Sequence, residues 1–329
     1  MTHQIPILVT GGAGYIGSHA CKALKEAGYL PIAYDNLENG HKHAVKWGPF
    51  EYGDILDSAA LYKVIEKYSP KAILHFAAYI SVGESVSSPE KYYRNNSAGG
   101  FNVIEAATKY GIDNFIFSST AAVYGVQEQH PITEDSSTNP INPYGHSKLI
   151  VEQMLRDLSA EGKLKYVALR YFNAAGADIS CEIGCEHVKP HNLVPILMNV
   201  QSGRQDKLQI FGTDYDTEDG TPIRDYAHVS DIARAHVLAL DYLLKGGASV
   251  ALNLGIGKGY SIKQVIDIVE SISGKQVPAE VAPRRAGDPP ILIADPSMAK
   301  QILGWEAEFT NLEDIIKTAW NWQFARTFA

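Results

Sequence analysis

Short apolar runs alternate with amphipathic helical patterns from residue 5 to residue 171. The runs are apolar along their whole length, as expected for strands of a parallel sheet that helices cover on both faces. The pattern predicts strands at 5–9, 30–34, 72–76, 115–118 and 166–171, and helices at 15–27, 59–68, 89–110 and 143–158. This alternation predicts right-handed βαβ units and an α/β fold with a doubly wound parallel sheet of the Rossmann type.

The pattern changes after residue 173, because residues 174–227 are richer in Gly, Pro, His and Asp. Beyond it we predict helices at 193–201, 229–244, 261–271 and 311–324, and strands at 208–211 and 251–254. Ser230 and Ser261 are the expected N-caps of two of these helices. We therefore predict a first domain over 1–173, to which 228–256 contributes, and a smaller C-terminal α/β lobe over 174–329.

Composition and charge narrow the functional class. The chain has 329 residues, of which 45% are hydrophobic and 20% charged, with a formal charge of -8. A mildly acidic chain without a basic tract is a poor candidate for binding nucleic acid or an anionic membrane. It shows neither a signal-peptide pattern nor the ~18 apolar residues of a membrane span. Its three cysteines fit a reducing compartment, so we expect a cytoplasmic enzyme.

A glycine-rich turn follows the first predicted strand. After Gly11, the residues Gly12, Gly14 and Gly17 satisfy G-x-G-x-x-G between a strand and a helix, the context in which this motif binds a pyrophosphate. Asp35 ends the second strand, 18 residues after Gly17, about where an acid binds the adenosine ribose. Because this acid would repel a 2′-phosphate and no Arg stands beside it, we expect NAD and not NADP.

Tyr144 and Lys148 are spaced to share one face of the predicted helix 143–158. A phenol is a poor base near neutral pH, and a nearby ammonium is expected to lower its pKa. Thr120 follows the strand 115–118 and offers a hydroxyl to a substrate alcohol. We interpret the three residues as a catalytic group at the carboxyl edge of the sheet, where doubly wound folds bind ligands.

This combination of motifs resembles the extended short-chain dehydrogenase/reductase family. The shared features are T-G-G-x-G-x-x-G near the N-terminus, a Ser or Thr at a strand end, and Y-x-x-x-K. The similarity extends to the UDP-hexose 4-epimerases of that family. The blocks that carry it span nearly the whole chain: HFAA at 75–78, VGESV at 82–86, YYRNN at 92–96, PYGHSK at 143–148, RYFN at 170–173, IRDYAHV at 223–229 and APRRAGD at 282–288.

The resemblance implies an NAD site in the first domain and a UDP-sugar site in the C-terminal lobe. The residues implied for NAD are Gly11, Gly12, Gly14, Tyr15, Ile16, Gly17, Asp35, Asn36, Asp54, Ile55, Phe76, Ala77, Asn95, Tyr144, Lys148 and Phe172. Those implied for the UDP-sugar are Thr120, Tyr144, Asn173, Asn192, Leu193, Arg224, Tyr226, Arg285, Asp288 and Leu292. The two arginines would bind the diphosphate, and Asp288 the uridine ribose.

The implied reaction is the reversible epimerisation of a UDP-hexose at C4, from UDP-galactose to UDP-glucose. Tyr144 would take the proton of the 4-hydroxyl while C4 passes a hydride to NAD. The 4-keto sugar would then rotate, and the hydride would return to its other face. Because no net oxidation occurs, we expect NAD to stay tightly bound. Members of the family are typically homodimers joined through helices near 97–109 and 144–158, and we expect the same here.

Other family activities remain as alternatives. Related dehydratases and decarboxylases carry acids directly after the Ser or Thr, where this chain has Ala121 and Ala122, so we exclude them. Leu292 stands where the family varies between a bulky Tyr and a small Cys or Ser, which favours plain hexoses over N-acetylhexosamines. Ile80 replaces a lysine found in many members, so one cofactor contact is expected to differ. A UDP-pentose or UDP-N-acetylhexosamine epimerase, a net dehydrogenase and a non-catalytic NAD sensor stay open.

A cysteine and histidine series resembles a zinc-binding pattern. It comprises Cys181, Cys185, His187 and His191 in one glycine-containing loop. Because it lacks the paired short C-x-x-C spacing of structural zinc sites, we predict loop residues and no metal. His75 is likewise predicted to pack at a strand end and not to act as a base.

Overall fold

The computed structural model describes residues 4–187, 190–285 and 287–325, so Ala286 of the 282–288 block lies outside the described residues. The strands are β1 (Pro6–Thr10), β2 (Leu30–Asp35), β3 (Phe50–Tyr52), β4 (Ala72–His75), β5 (Asn114–Thr120), β6 (Lys165–Tyr171), β7 (Asn173–Ala175), β8 (Leu208–Phe211), β9 (Ile223–His228), β10 (Val250–Leu254), β11 (Gly259–Ser261), β12 (Ala279–Ala282) and β13 (Ile291–Leu292). The α-helices are α1 (Tyr15–Glu26), α2 (Ser58–Tyr68), α3 (Val82–Ser87), α4 (Pro89–Tyr92), α5 (Gly100–Lys109), α6 (Pro143–Ala160), α7 (Leu193–Gln201), α8 (Val229–Leu244), α9 (Ile262–Ser273), α10 (Ser297–Leu303) and α11 (Leu312–Ala325).

A seven-stranded sheet in the order β10-β6-β5-β4-β1-β2-β3 forms the centre of the molecule. All of its neighbouring strands are parallel. From β1 the chain runs outward to β2 and β3, and then returns to build the other half from β4, so the strand order reverses between β1 and β4. Ligands of doubly wound sheets bind at the carboxyl ends of the strands at such a reversal. The predicted fold class is confirmed.

Apolar side chains from consecutive residues of β1 enter two separate cores. Ile7 packs with Leu24 of α1 and Ile232 of α8 on one face of the sheet. Leu8 packs with Leu61 of α2 and Val151 of α6 on the other face. The strands are therefore buried on both sides, which explains their uninterrupted apolar pattern. Across the described residues, every helix lacks the length or the apolar character that a membrane crossing requires.

The C-terminal lobe is built on β9, which pairs with β7, β11 and β13, while β8 and β12 form a separate parallel pair. Helices α7, α9 and α11 pack around a third apolar core in this lobe. β7 begins two residues after β6 ends, so the two sheets are joined directly. Strand β10 pairs with β6 of the large sheet, although the division of the chain into 1–173 and 174–329 stays a prediction.

Two local predictions need correction. Helix α8 is capped by His228, whose Nδ1 accepts the N–H of Ser230 at 3.1 Å, so the predicted N-cap Ser230 is wrong. The helix predicted over 89–110 is interrupted by a π-helical segment, Tyr93–Gly99, that separates α4 from α5. The N-cap Ser261 is confirmed, because it forms a reciprocal capping box with Gln264.

Candidate active site

The turn between β1 and α1 is built from glycines that permit close backbone approach. Gly11 adopts a φ of +74°, and a Cβ there would lie 2.7 Å from the backbone nitrogen of Ala77. A Cβ at Gly17 would lie 2.1 Å from the carbonyl oxygen of Gly11, so α1 starts directly against the strand. Gly14 is the N-cap of α1. A Cβ on Gly14 would have a single neighbour within 4 Å among the described residues, the Gly11 carbonyl oxygen at 3.3 Å, so the space beside Gly14 is open. The turn thus leaves room for an anion at the helix N-terminus.

Asp35 places its carboxylate at this turn. Its Oδ2 accepts the N–H of Ala13 at 3.0 Å and its Oδ1 accepts that of Leu37 at 2.8 Å. Burial raises the pKa of Asp35, and the two N–H donors oppose that shift. The neighbouring Asn36 donates from Nδ2 to Oδ2 of Asp54 at 3.0 Å. The structure therefore brings three of the residues predicted for NAD to the carboxyl ends of β2 and β3.

The other residues predicted for NAD occupy the same edge of the sheet. Phe76 follows β4 and donates its N–H to the carbonyl of Thr10 at 2.9 Å, and Ala77 lies against Gly11. Three further residues predicted for NAD form hydrogen bonds within the protein: the Tyr15 hydroxyl donates to Gly176 O at 2.7 Å, Asn95 donates to Asn96 Oδ1 at 3.0 Å, and Phe172 donates its N–H to Leu254 O at 3.2 Å. Two more make apolar contacts: Ile16 packs on the core, and Ile55 lies next to Gly99. Ile80, 38% exposed, has no polar side-chain atom to offer a cofactor.

Tyr144 is positioned by the start of α6. The N-cap Asn142 accepts the N–H of Gly145 at 2.8 Å, and Pro143 occupies the first helical position. A Cβ on Gly145 would lie 2.6 Å from the carbonyl oxygen of Ala122, so the helix packs closely on the turn that follows β5. This contact brings Tyr144 beside the end of β5.

Burial, and not charge, dominates the titration of the catalytic group. It raises the pKa of Tyr144, and a hydrogen bond from Thr120 opposes the shift. Burial also lowers the pKa of Lys148 to about 7, against the charge of Glu152. The Lys148 Nζ donates to the carbonyl of Ser118 at 2.8 Å. The pKa of Tyr144 is therefore shifted in the direction opposite to that expected from a nearby ammonium, because burial is the largest cause of the shift.

A buried network behind Lys148 was not predicted from the sequence. Arg170 Nη2 lies 2.6 Å from Glu152 Oε2, and the hydroxyl of Ser119 donates to the same carboxylate. Arg170 Nη1 also donates to the Tyr124 hydroxyl at 2.9 Å. The available signal was spacing, because Glu152 lies four residues after Lys148 on one helix face. The pair places an acid beneath the lysine.

Four residues predicted for the UDP-sugar lie on or beside β9 in the C-terminal lobe. Arg224 forms an ion pair with Asp288 and donates to the carbonyl of Pro289 at 2.7 Å. The Tyr226 hydroxyl is buried without a hydrogen-bond partner among the described residues. Tyr226 is also opposite Asn173 in the β7–β9 pairing. A buried hydroxyl without a partner is costly, so this atom is suited to a ligand.

Leu292 and Arg285 approach from two further segments. Leu292 is opposite Arg224 in the β13–β9 pairing and packs against a cluster that includes Ala121 and Phe172. It therefore lies beside the turn that follows Thr120. The Arg285 guanidinium carbon lies 4.2 Å from the ring centroid of Phe211, an aromatic partner that was not predicted.

The start of α7 lies near this arginine. Asn192 is the N-cap of α7, and Leu193 is the first helical residue, packed on the core of the lobe. Burial lowers the pKa of the preceding His191, and the charges of Glu84 and Arg285 also act on it. Residues 191–193 are thus placed on the Arg285 side of the lobe.

The histidines predicted to be structural behave differently from one another. His75 Nδ1 is 2.6 Å from Thr10 Oγ1, and its ring stacks on Phe117 at 5.8 Å. Burial lowers its pKa to about 3, so it is a neutral packing residue, as predicted. In the loop series, Cys185 Sγ lies 3.7 Å from His187 Nδ1. Within the described ranges, the side chains spaced closely enough to share a metal ion are not this series but His41, His43 and Glu186.

Comparison with known proteins gives a consistent result. The model of the NAD dependent epimerase/dehydratase family matches residues 7–255. A UDP-glucose 4-epimerase of Rhizobium meliloti (strain 1021) is 49% identical over 320 residues, which cover 97% of this chain and 97% of that protein. The crystal structure of UDP-glucose 4-epimerase from Brucella ovis in complex with NAD is 50% identical, with a TM-score of 0.93 and coverage of 96% of this chain and 97% of that one. A UDP-glucose 4-epimerase structure from Stenotrophomonas maltophila, with NAD and formylated UDP-arabinopyranose, is 42% identical, with a TM-score of 0.93 and 98% of each chain covered.

Proposed function

The chain belongs to the NAD-dependent epimerase/dehydratase family, and from this premise we propose that it interconverts UDP-galactose and UDP-glucose by epimerisation at C4. The predicted resemblance is thereby confirmed. The observation that carries the proposal is the meeting of Tyr144, Lys148 and Thr120 with the glycine turn at one edge of the parallel sheet. Arg224 and Asp288 of the C-terminal lobe lie close to that edge, because Leu292, which is opposite Arg224 in the β13–β9 pairing, packs against the cluster that contains Ala121.

NAD fits the first domain. The room beside Gly14 suits a pyrophosphate, and the carboxylate of Asp35 at the same turn suits the hydroxyls of an adenosine ribose. Bound NAD supplies the acceptor and later the donor of the hydride at C4. Lys148, held by the Ser118 carbonyl at 2.8 Å, would hold the nicotinamide ribose.

The chain's own residues move the proton. In this proposal the Tyr144 hydroxyl exchanges a proton with the 4-oxygen of the sugar, and Thr120 hydrogen-bonds both the phenol and that oxygen. In the first half-reaction the Tyr144 phenolate would accept the proton of the 4-hydroxyl while the hydride leaves C4, and in the second half the phenol would return that proton to the 4-oxygen. Because burial raises the pKa of Tyr144, the phenolate would need a stabilising positive charge such as the Lys148 ammonium. A group that serves in both directions suits a reversible reaction.

The UDP part of the substrate would be bound by charged side chains and by one buried hydroxyl that has no hydrogen-bond partner among the described residues. Arg224 and Arg285 are the proposed ligands of the diphosphate, and Tyr226 offers its unpaired buried hydroxyl. Asp288, which pairs with Arg224, would turn one carboxylate oxygen to the uridine ribose. This assigns affinity to UDP and leaves the sugar free to rotate as the 4-keto form.

Self-association and location complete the proposal. Apolar side chains are exposed near α5 and α6: Tyr93 is 37%, Phe101 46% and Ile150 37% exposed. We propose that these helices join two copies into a homodimer, since such patches mark association surfaces. A cytoplasmic location follows from the three free cysteines only as a prediction.

The test uses purified protein without added cofactor. UDP-galactose should convert to UDP-glucose, and NAD should be recovered from the denatured protein. Release of one NADH for each UDP-galactose oxidised, only when NAD is added, would indicate a net dehydrogenase, and bound NAD without any reaction would indicate a sensor. The same assay with UDP-xylose or UDP-arabinose, and with UDP-N-acetylglucosamine, decides between hexose, pentose and N-acetylhexosamine substrates. A kcat/KM for either alternative above that for UDP-galactose would overturn the hexose assignment.

A further inference from the structure

Two imidazoles and one carboxylate meet on the outer side of the glycine turn. His41 and His43 flank the start of a short 3-10 turn, Lys42–Ala44, and their rings stack with centroids 5.3 Å apart. Glu186 reaches them from a segment more than a hundred residues later in the chain. His43 Nε2 lies 2.9 Å from Glu186 Oε2, and His41 Nε2 lies 3.1 Å from the Glu186 carbonyl oxygen. Both imidazoles thus direct the same ring nitrogen at one residue.

The spacing of these atoms is close to that of a metal-ligand set. One ligand atom from each of His41, His43 and Glu186 lies within 4.8 Å of the other two. Ligands that share a metal at bonds of about 2.0–2.2 Å are separated by about 3–4 Å, so the spacing of these three atoms is close to that around one ion. We propose that these three residues bind one divalent transition-metal ion, such as Zn²⁺.

The donor set selects the class of ion. Two imidazole nitrogens and one carboxylate favour Zn²⁺, Ni²⁺ or Cu²⁺, whereas Mg²⁺ and Ca²⁺ prefer sites made of oxygen ligands alone. His43 is exposed and the other two residues are half-buried, so an ion reaches the site from solvent. Three protein ligands leave at least one position for water.

The position of the site gives it a structural consequence. The N–H of His41 donates to the carbonyl of Ala13 at 2.9 Å, and a Cβ on Gly40 would lie 2.9 Å from Ala13. The loop that carries His41 therefore rests on the glycine turn. The segment that carries Glu186 contacts α1, the helix that follows the glycine turn, because Lys22 of α1 forms an ion pair with Asp178 at 2.8 Å.

A bound ion would therefore fasten residues 36–46 to residues 178–187 across the start of α1. Without a metal, the same side chains form ordinary His–Glu hydrogen bonds between these segments. The two situations differ in a measurable way, because only a metal site makes the stability of the contact depend on the concentration of Zn²⁺.

The binding test uses tag-free protein treated with a chelator and then titrated with ZnCl₂ by calorimetry. We expect one site per chain in the native protein and no equivalent heat with MgCl₂. Loss of a ligand should weaken Zn²⁺ binding at least about tenfold in His43→Ala and in Glu186→Gln, and should abolish it in His41→Ala/His43→Ala. The exposed His146 provides the matched control, because His146→Gln should bind Zn²⁺ as the native protein does.

Hydrogen exchange tests the bridge independently of activity. Zn²⁺ should slow amide exchange in residues 36–46 and 178–187 of the native protein but not of the double variant. Unchanged Zn²⁺ binding in the double variant, or no binding by the native protein, would overturn the site. Binding with unchanged exchange in both segments would overturn the bridge. If the double variant fails to fold, Glu186→Gln decides, because it keeps both histidines and the size of the side chain.

Discussion

Tyr144 keeps 9% of its surface exposed, and the hydroxyl of Thr120 is its hydrogen-bond partner. Lys148 is more deeply buried, at 2%. In this setting both side chains favour their neutral forms, because a buried charge loses the solvation of water. Burial thus disfavours both the Tyr144 phenolate and the Lys148 ammonium, so bound ligands must offset the lost solvation of whichever charge the reaction needs.

Removing the Tyr144 hydroxyl should therefore abolish most of the activity. We expect Tyr144→Phe to lower kcat by at least about 100-fold, the usual contribution of a positioned acid–base group. The conversion of UDP-galactose is measured together with the NAD content, which should stay the same. Tyr52→Phe is the matched control, because Tyr52 is 71% exposed and should have native kcat. Native kcat in Tyr144→Phe would contradict the proposed proton exchange.

Leu292 is expected to limit the size of the sugar substituent. It packs beside Phe172 and Ala121 next to the end of β5, so a shorter side chain there frees space near the proposed sugar site. Leu292→Ala should raise the kcat/KM ratio of UDP-N-acetylglucosamine to UDP-glucose by about tenfold, a typical value for a few methylene groups. Leu292→Met, which conserves volume, should leave the ratio within a factor of about two. An unchanged ratio in Leu292→Ala would place the specificity elsewhere.

At the scale of elements, the close contact between β1 and α1 requires a glycine at position 17. Gly17→Ala would place a Cβ 2.1 Å from the Gly11 carbonyl oxygen, which forces the helix away from the strand. We expect a loss of about 1–3 kcal/mol in the free energy of unfolding, measured in urea, and less NAD in the purified protein. Gly83→Ala in α3 is the control, since its Cβ would meet the nearest described side-chain atom at 3.8 Å and should cost nothing. Full stability and full NAD content in Gly17→Ala would be inconsistent with this view.

The elements also show what the sequence pattern was able to reveal. Strands β1, β2, β4, β5 and β6 were predicted because burial on both faces leaves an apolar run. β9 has no such run, because it carries Arg224 and Asp225, whose charges are buried through long-range partners. The Asp225 carboxylate accepts N–H groups of Ile256, Gly257 and Ala294 from distant segments. A pattern read locally has no access to these partners.

The same distinction separates the predicted from the unpredicted parts of the site. Tyr144 and Lys148 lie within one helical turn, and Asp35 within one βαβ unit, so spacing alone grouped them. The Glu152–Arg170 and Arg224–Asp288 pairs join residues 18 and 64 positions apart through tertiary packing. The family resemblance implies Arg224 and Asp288 as separate ligand residues, without indicating that they bind each other.

At the scale of the whole molecule, buried histidines on several elements determine how stability depends on pH. His19 lies on α1, His228 caps α8 and bonds to Thr318 of α11 at 3.0 Å, and His236 donates to the carbonyl of Ile232 at 2.8 Å. Burial lowers the pKa of each to about 4. Together with His75, these histidines stay neutral in the folded protein, whereas in the unfolded chain they take up protons below about pH 6.5.

Stability should therefore fall as the pH decreases from about 6.5 to about 4, because a folded-state pKa below the unfolded value makes protonation favour unfolding. Each histidine contributes on the order of 3 kcal/mol to this fall. Asp225 acts in the opposite direction, since burial raises its pKa to about 6, but it is outnumbered. Urea unfolding at pH 7.5, 6.5, 5.5 and 5 should show the decrease, with a smaller slope in His236→Gln and the native slope in His146→Gln. A free energy of unfolding that stays constant from pH 7.5 to 5 would mean that these histidines are already solvated in the folded protein.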